Sequence, residues 1–246
     1  MQKKIVIIGA TSGMGEMVAK MFIEKGYKVG VGARREEKLI EIKNINKDNV
    51  EYEVIDVTND KSSENLLHLI NKLGGMDEFF LASGVGYENE DLDLEKEIHT
   101  MQVNALGFVR IVDTAFNYFK QNGGGHISCI TSIAGTKGLG AAPSYSSTKR
   151  FQNFYITSLE QLSHINNYKI RFTDIRPGFV DTALLDSKRH YPLLMKKEKV
   201  AKSIVKAILN KKRIKVIDWR YRIIVCFGKA IPNCLWVKMK IKTKKK

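Results

Sequence analysis

Cysteine is scarce in this 246-residue chain. Cys129, Cys226 and Cys234 are odd in number and show no C-x-x-C spacing, so neither a disulfide framework nor a zinc site is expected. Reduced thiols in a cytoplasmic setting are the expectation. Proline is also rare, four residues against 19 glycines, and with 43% hydrophobic residues the composition is that of a compact globular protein rather than a disordered or collagen-like one. No segment approaches the ~20 uninterrupted apolar residues of a membrane-spanning helix. The apolar run Ile5 to Ile8 breaks at Gly9 without the cleavage site of a secretion signal, and it reads as a first strand. None of the five histidines falls in a metal-ligand or catalytic pattern, so no metal is expected. Acid is the other shortage: 26 Asp and Glu face 41 Lys and Arg, a net charge of +15. Such an excess suits an acidic partner, but it is unevenly spread. Residues 211–246 hold 13 basic residues and one acidic, a net +12, so most of the basicity belongs to the C-terminal segment.

The length allows one large domain or two small ones and excludes a small stapled scaffold. Short apolar runs alternate with helical patterns, the rhythm of βαβ units. The runs predict strands over 4–9, 28–33, 51–57, 78–82, 126–131, 170–175 and 214–217. Helices are predicted over 14–25, 35–44, 61–73, 94–120, 144–164 and 197–210. Seven strands fit one α/β domain, a doubly wound, mostly parallel sheet with helices on both faces. In such a sheet ligands bind beyond the carboxyl ends of the strands.

The first strand runs into Gly9-Ala10-Thr11-Ser12-Gly13-Met14-Gly15, which opens directly into a helical pattern. Glycines permit a tight turn and a close backbone approach, and free amides at a helix N-terminus attract a pyrophosphate. Gly9, Thr11, Ser12, Gly13, Met14 and Gly15 are therefore candidate contacts, although a plain strand–helix turn would use the same glycines. After the second strand come Arg34 and Arg35, where a fold that prefers NAD places a carboxylate. Guanidinium grips a 2′-phosphate that a carboxylate would repel, which favours NADP(H). The competing reading is a solvated pair opening a charged helix. Asp56 and Val57, after the third strand, are placed to meet an adenine ring, whereas an isolated Asp there would serve as a helix cap.

The fifth strand ends at Ser132, and Tyr145 and Lys149 follow at i and i+4 on one helical face. An ammonium near a phenol lowers its pKa and makes it a usable acid and base, and a nearby serine hydroxyl can hold a substrate carbonyl. With these residues the chain resembles the short-chain dehydrogenase/reductase family over residues 3 to 218. The family's T-G-x-x-x-G-x-G turn falls on Ile8 to Gly15, with Ile8 where Thr is usual, and its adenine-contacting Asp on Asp56. Its N-A-G segment falls on Ala82-Ser83-Gly84, with Ala82 where Asn is usual. The helix asparagine falls on Asn104, the Ser, Tyr and Lys on Ser132, Tyr145 and Lys149, and P-G-x-x-x-T on Pro177 to Thr182.

The resemblance implies a Rossmann-type catalytic domain over 1–218 and hydride transfer between NADP(H) and a carbonyl or secondary alcohol. Tyr145 would be the proton donor or acceptor, with Lys149 on the nicotinamide ribose. Ser132 would polarise the substrate oxygen, and Asn104 would hold a water that relays protons to Lys149. Ala82, Ser83, Gly84, Pro177 and Gly178 would border the cofactor, and Val180 and Thr182 would hold its carboxamide and phosphate side. The resemblance places the substrate lid over 184–196, with Lys188, Arg189, His190, Tyr191 and Pro192. Phe151, Phe154 and Tyr155 read as core or as the oligomer surface of a homodimer or homotetramer.

The tail, 219–246, interleaves Trp219, Tyr221, Ile223 to Phe227 and Trp236 with lysine and arginine. This suits peripheral contact with the inner face of an anionic membrane. A last core segment followed by solvated lysines competes with that reading, and nucleic acid is disfavoured because no recognition motif accompanies the charge. The expected activity is an NADPH-dependent reductase acting on a small-molecule ketone, extended to a hydrophobic one such as a 3-keto sphingoid base. The alternative is a catalytically weak NADP(H)-binding sensor or scaffold.

Overall fold

The computed structural model describes residues 2–186, 189–241 and 244–245; Lys188 of the lid and Lys242 and Lys246 of the tail lie outside the described residues. In chain order the elements are β1 (Lys4–Ile8), α1 (Gly13–Glu24), β2 (Lys28–Ala33), α2 (Glu36–Lys43), β3 (Val50–Val54), α3 (Ser62–Leu73), β4 (Glu78–Leu81) and α4 (Leu94–Met101). A π-helical turn (Gln102–Gly107) then leads into α5 (Phe108–Gln121) and β5 (Gly125–Ile130). A 3-10 turn (Ile133–Thr136) precedes α6 (Pro143–Ile165), β6 (Ile170–Arg176), β7 (Arg189–His190), α7 (Lys197–Leu209), β8 (Ile214–Val216), α8 (Trp219–Ala230), α9 (Asn233–Trp236) and β9 (Lys244–Lys245).

Seven strands form one sheet in the order β3-β2-β1-β4-β5-β6-β8, every pair parallel, while β7 and β9 form a separate antiparallel ribbon. Alternation along β1 explains the layers. Ile5 and Ile7 join a core with α1, α2 and α7 (Val18, Phe22, Leu39, Ile204), while Val6 and Ile8 join a second core with α3, α5 and α6 (Leu66, Leu69, Phe116, Ile156). The strand order reverses between β1 and β4, so the crevice beyond their carboxyl ends is where this architecture binds ligands.

Two local departures bear on function. The single helix expected over 94–120 is interrupted by the π-helical turn around Asn104, in which the Phe108 N–H bonds the Ala105 carbonyl. Close packing fixes this turn: a Cβ on Gly107 would lie 2.8 Å from the Val57 carbonyl oxygen. Packing also continues beyond residue 218. Tyr221 and Val225 of α8 are buried, and Gly178 leaves room for the Tyr221 ring, which a Cβ there would strike.

Candidate active site

The glycine turn is built by steric necessity. Gly9 adopts φ +86°, and a Cβ on it would lie 2.6 Å from the Ser83 nitrogen, so the turn rests directly on the segment that follows β4. A Cβ on Gly15 would strike the Gly9 carbonyl, and one on Gly13 (φ +57°) would lie 3.6 Å from Thr182 Cγ2. Residues 9–15, 82–84 and 177–182, three separate segments of the sequence pattern, thus meet at one place. Ser12 caps α1 in extended conformation with no side-chain cap bond, which leaves first-turn amides available to an external anion.

The two arginines after β2 have different duties. Arg35 Nη2 donates to the Thr11 carbonyl at 2.8 Å and to its hydroxyl at 3.2 Å, tying α2 to the glycine turn. Arg34 is exposed and makes no hydrogen bond or ion pair among the described residues. The Asp56 carboxyl lies below its ordinary range. Burial pushes it up, but hydrogen bonds from the Thr58 N–H (2.9 Å) and hydroxyl (2.7 Å) and the charge of Arg34 outweigh that.

On the other side of the crevice, Ser132 follows β5, and its Oγ accepts from the Ala134 N–H at 3.0 Å. Tyr145 and Lys149 stand on α6, with the Lys149 Nζ 5.7 Å from the Tyr145 ring centroid. The tyrosine ring lies flush against Gly86, where a Cβ would approach it to 2.8 Å. Burial raises the Tyr145 pKa, and a hydrogen bond with Ser132 pulls the other way. Burial outweighs the lowering expected from Lys149 in this arrangement. Lys149 is buried, its pKa is pushed down to about 8 by desolvation against the charge of Asp174, and its ammonium donates to the Ile130 carbonyl (3.3 Å) and Gln152 Oε1 (3.0 Å).

Asn104 is fully buried. Its side chain clasps Val85, accepting from the N–H at 2.9 Å and donating to the carbonyl at 2.7 Å, while its own carbonyl accepts from Gln152 Nε2 at 2.8 Å. The Gln152 amide therefore spans Asn104 and Lys149. Sequence reading missed this residue, although Tyr145, Lys149 and Gln152 sit at i, i+4 and i+7 on one face. Behind Ser132, buried Asp174 accepts from Thr131 (2.6 Å), Asn153 (3.1 Å) and Arg176 (2.8 Å).

The expected lid is fastened through its middle residues, 189–192. Arg189 pairs with Glu88 at 2.5 Å and the Tyr191 hydroxyl donates to Glu88 at 3.2 Å, while the Tyr221 hydroxyl donates to the Pro192 carbonyl at 2.9 Å and accepts from the Phe179 N–H at 3.2 Å. The basic C-terminal segment reaches the site too. On the loop between Ser132 and Tyr145, the Gly138 carbonyl accepts from Trp236 Nε1 (2.7 Å), and Lys137 donates to Ile231 O (2.8 Å) and Asn233 Oδ1 (2.7 Å). Phe151 and Phe154 are exposed rather than core, and Tyr155 donates to Asp113.

The chain is similar to known proteins over most of its length. An uncharacterized oxidoreductase of Staphylococcus aureus is 28% identical over 221 residues, 87% of this chain and 94% of that one. Another, from Mycobacterium tuberculosis, is 26% identical over 230 residues, 89% of each. Among solved structures, an alcohol dehydrogenase from the archaeon Thermococcus sibiricus complexed with 5-hydroxy-NADP superposes with a TM-score of 0.76 at 27% identity, covering 88% of this chain and 95% of that one. A short chain dehydrogenase from Burkholderia cenocepacia in complex with NADP shares the fold with a TM-score of 0.83 at 19% identity, covering 98% and 100%. The model of the short chain dehydrogenase family matches residues 3–192, and the chain belongs to that family of oxidoreductases.

Proposed function

We propose that the protein is an NADPH-dependent reductase that converts a ketone to a secondary alcohol. The observation that carries this reading is the convergence of Ser132, Tyr145 and Lys149 on the crevice that the glycine turn and Arg34 border on its other side. The residues fit the cofactor. A cradle that no Cβ could enter and open amides of residues 13–15, with Thr11 and Ser12, would hold the pyrophosphate. Arg34 would hold the 2′-phosphate, and Asp56 and Val57 the adenine. Ala82, Ser83 and Gly84 would line the ribose side, and Pro177, Gly178, Val180 and Thr182 the nicotinamide side. When bound, the reduced nicotinamide supplies the hydride.

The chain's own residues handle the proton. Ser132 Oγ accepts from Ala134 and donates over 3.4 Å to the Pro177 carbonyl, a long bond whose hydrogen would turn to a substrate carbonyl oxygen. The Tyr145 hydroxyl, kept protonated by burial, gives its proton to the alkoxide as it forms. The Lys149 ammonium then steadies the phenolate left behind. Tyr145→Phe should abolish NADPH oxidation across a panel of aliphatic and long-chain ketones while NADPH still binds; full activity in this variant refutes the mechanism.

A hydrophobic ketone such as a 3-keto sphingoid base is the substrate class we favour, because α8 presents Trp219, Ile223, Ile224 and Phe227 to the outside beside Arg220, Arg222 and Lys229. A cationic, apolar surface suits an anionic bilayer, and a net +12 in residues 211–246 opposes pairing of this face with a second copy. The full chain should float with phosphatidylglycerol-containing vesicles at low salt, and Phe227→Ser should weaken this. Recovery of the parent chain only in the unbound fraction refutes it. Self-association as a homodimer or homotetramer is supported by Ile98, Leu106, Phe151 and Phe154, exposed on α4, the π-helical turn and α6.

A further inference from the structure

We propose that Gln152 is a positioning residue for Lys149, its side-chain amide fixing the ammonium against the carbonyl that the π-helical turn presents at Asn104. The proposal rests on the reductase reading above. Gln152 is 1% exposed and both ends of its amide are engaged: Oε1 accepts from Lys149 Nζ at 3.0 Å and Nε2 donates to the Asn104 carbonyl at 2.8 Å. The Phe108 N–H is directed to Ala105, which leaves the Asn104 carbonyl facing α6. The Asn104 side chain, held by Val85 and Thr148, anchors the turn to the segment that follows β4. The three residues form one rigid line from the crevice wall to the ammonium.

The choice of an amide has a chemical consequence. A carboxamide oxygen favours the charged form of the lysine it accepts from, while burial disfavours it. The groups facing Lys149 are few: Cys129 on β5, Asp174 on β6, itself paired with Arg176, and Tyr145 on α6. Asp174 already serves Thr131, Asn153 and Arg176, so the Gln152 oxygen and the Ile130 carbonyl are the acceptors that hold the ammonium. A carboxamide holds both ends without an ionisable proton of its own, so this contact aims and charges the lysine rather than passing protons through it.

The test reads Lys149 directly. In the cofactor-free full-length protein labelled with 13Cε-lysine, the Lys149 signal, assigned with Lys149→Met, should titrate near 8. In Gln152→Leu the midpoint should fall by about one pKa unit, a nearly tenfold change in the charged fraction well above pH 8, and in Gln152→Glu it should rise. The alkaline limb of kcat for any ketone turned over should move in the same directions, with kcat about tenfold lower in Gln152→Leu on that limb and KM unchanged. If Gln152→Leu does not fold, the near-isosteric Gln152→Glu decides alone. A Lys149 midpoint that stays at the parent value in the folded variants overturns the proposal. Because the titration needs neither cofactor nor substrate, it stands apart from the reductase reading, which Tyr145→Phe tests separately.

Discussion

Replacing Arg34 should change which cofactor binds, and replacing its neighbour should not. Arg34 makes no hydrogen bond or ion pair to the described protein, so its guanidinium is free to take a 2′-phosphate. A charge-assisted pair of this kind contributes ~1.5–3 kcal/mol, and at an exposed position the lower half of that range applies, about 2 kcal/mol or roughly 30-fold in Kd. Arg34→Ala should therefore weaken NADPH about 30-fold and leave NADH nearly unchanged. Arg34→Asp adds repulsion of the phosphate, about 1 kcal/mol at ~4 Å in water. It should shift the NADPH to NADH preference by more than ~100-fold in all. Arg35→Ala has a different expected outcome, because it releases the Thr11 carbonyl and hydroxyl and loosens the turn that both cofactors share. Both should weaken together. Fluorescence titration of each cofactor at constant ionic strength measures this, the constancy being needed because exposed pairs are screened over ~8 Å at 0.15 M salt. Equal losses for NADPH and NADH in Arg34→Ala, or a parent protein that does not discriminate between them, refute the reasoning.

The buried lysine should leave a signature in stability. Its pKa lies near 8 rather than 10.5, so the unfolded chain binds more protons between those values and the cost of burying the charge is relieved as pH rises through that window. From pH 8 to pH 10 the unfolding free energy of the parent should rise relative to Lys149→Met by on the order of 2 kcal/mol, read from urea curves; parallel pH profiles contradict it. Asp174→Ala leaves Arg176, 9% exposed, without its partner and should destabilise the fold by about 3 kcal/mol or more. A loss below ~1 kcal/mol in the same assay means the pair is not structural. Tyr221→Phe removes the contacts to Phe179, Pro192 and Leu193, costs about 1 kcal/mol and should speed proteolytic cutting within 184–196; unaltered cutting shows that the lid is held by other means.

The centre of the sheet was legible because β1, β2 and β4 are short apolar runs that stop at the crevice, and β1 carries its two-sided burial in the run Ile5 to Ile8. Ser132, Tyr145 and Lys149 were legible because their chemistry is tied to a fixed spacing along β5 and α6. The π-helical turn was not, since the pattern over 94–120 is amphipathic throughout and the break depends on Gly107 meeting Val57. Nor could spacing show that Lys149 turns toward Gln152 and leaves the Tyr145 pKa raised. That orientation is decided by an acceptor supplied from the same helix and a carbonyl supplied from another.

The tail shows most clearly what composition conceals. Its charge suggested a segment outside the catalytic framework, yet the Tyr221 ring fills the space over Gly178, in the segment proposed to border the cofactor, and Trp236 bonds the loop that joins Ser132 to Tyr145. No count of lysines predicts these contacts, because they depend on shape complementarity between distant positions. They also constrain the location proposed above. Through Trp236 and Lys137 the segment after α8 is fastened to the loop between the proposed catalytic residues, so a bilayer bound along the exposed face of α8 would lie beside that loop. An amphiphilic ketone would then be drawn from the bilayer rather than from solution. Its KM should fall when anionic vesicles are added, whereas that of a short water-soluble ketone should stay constant. Equal responses from both ketones would separate the tail's binding surface from the enzyme's choice of substrate.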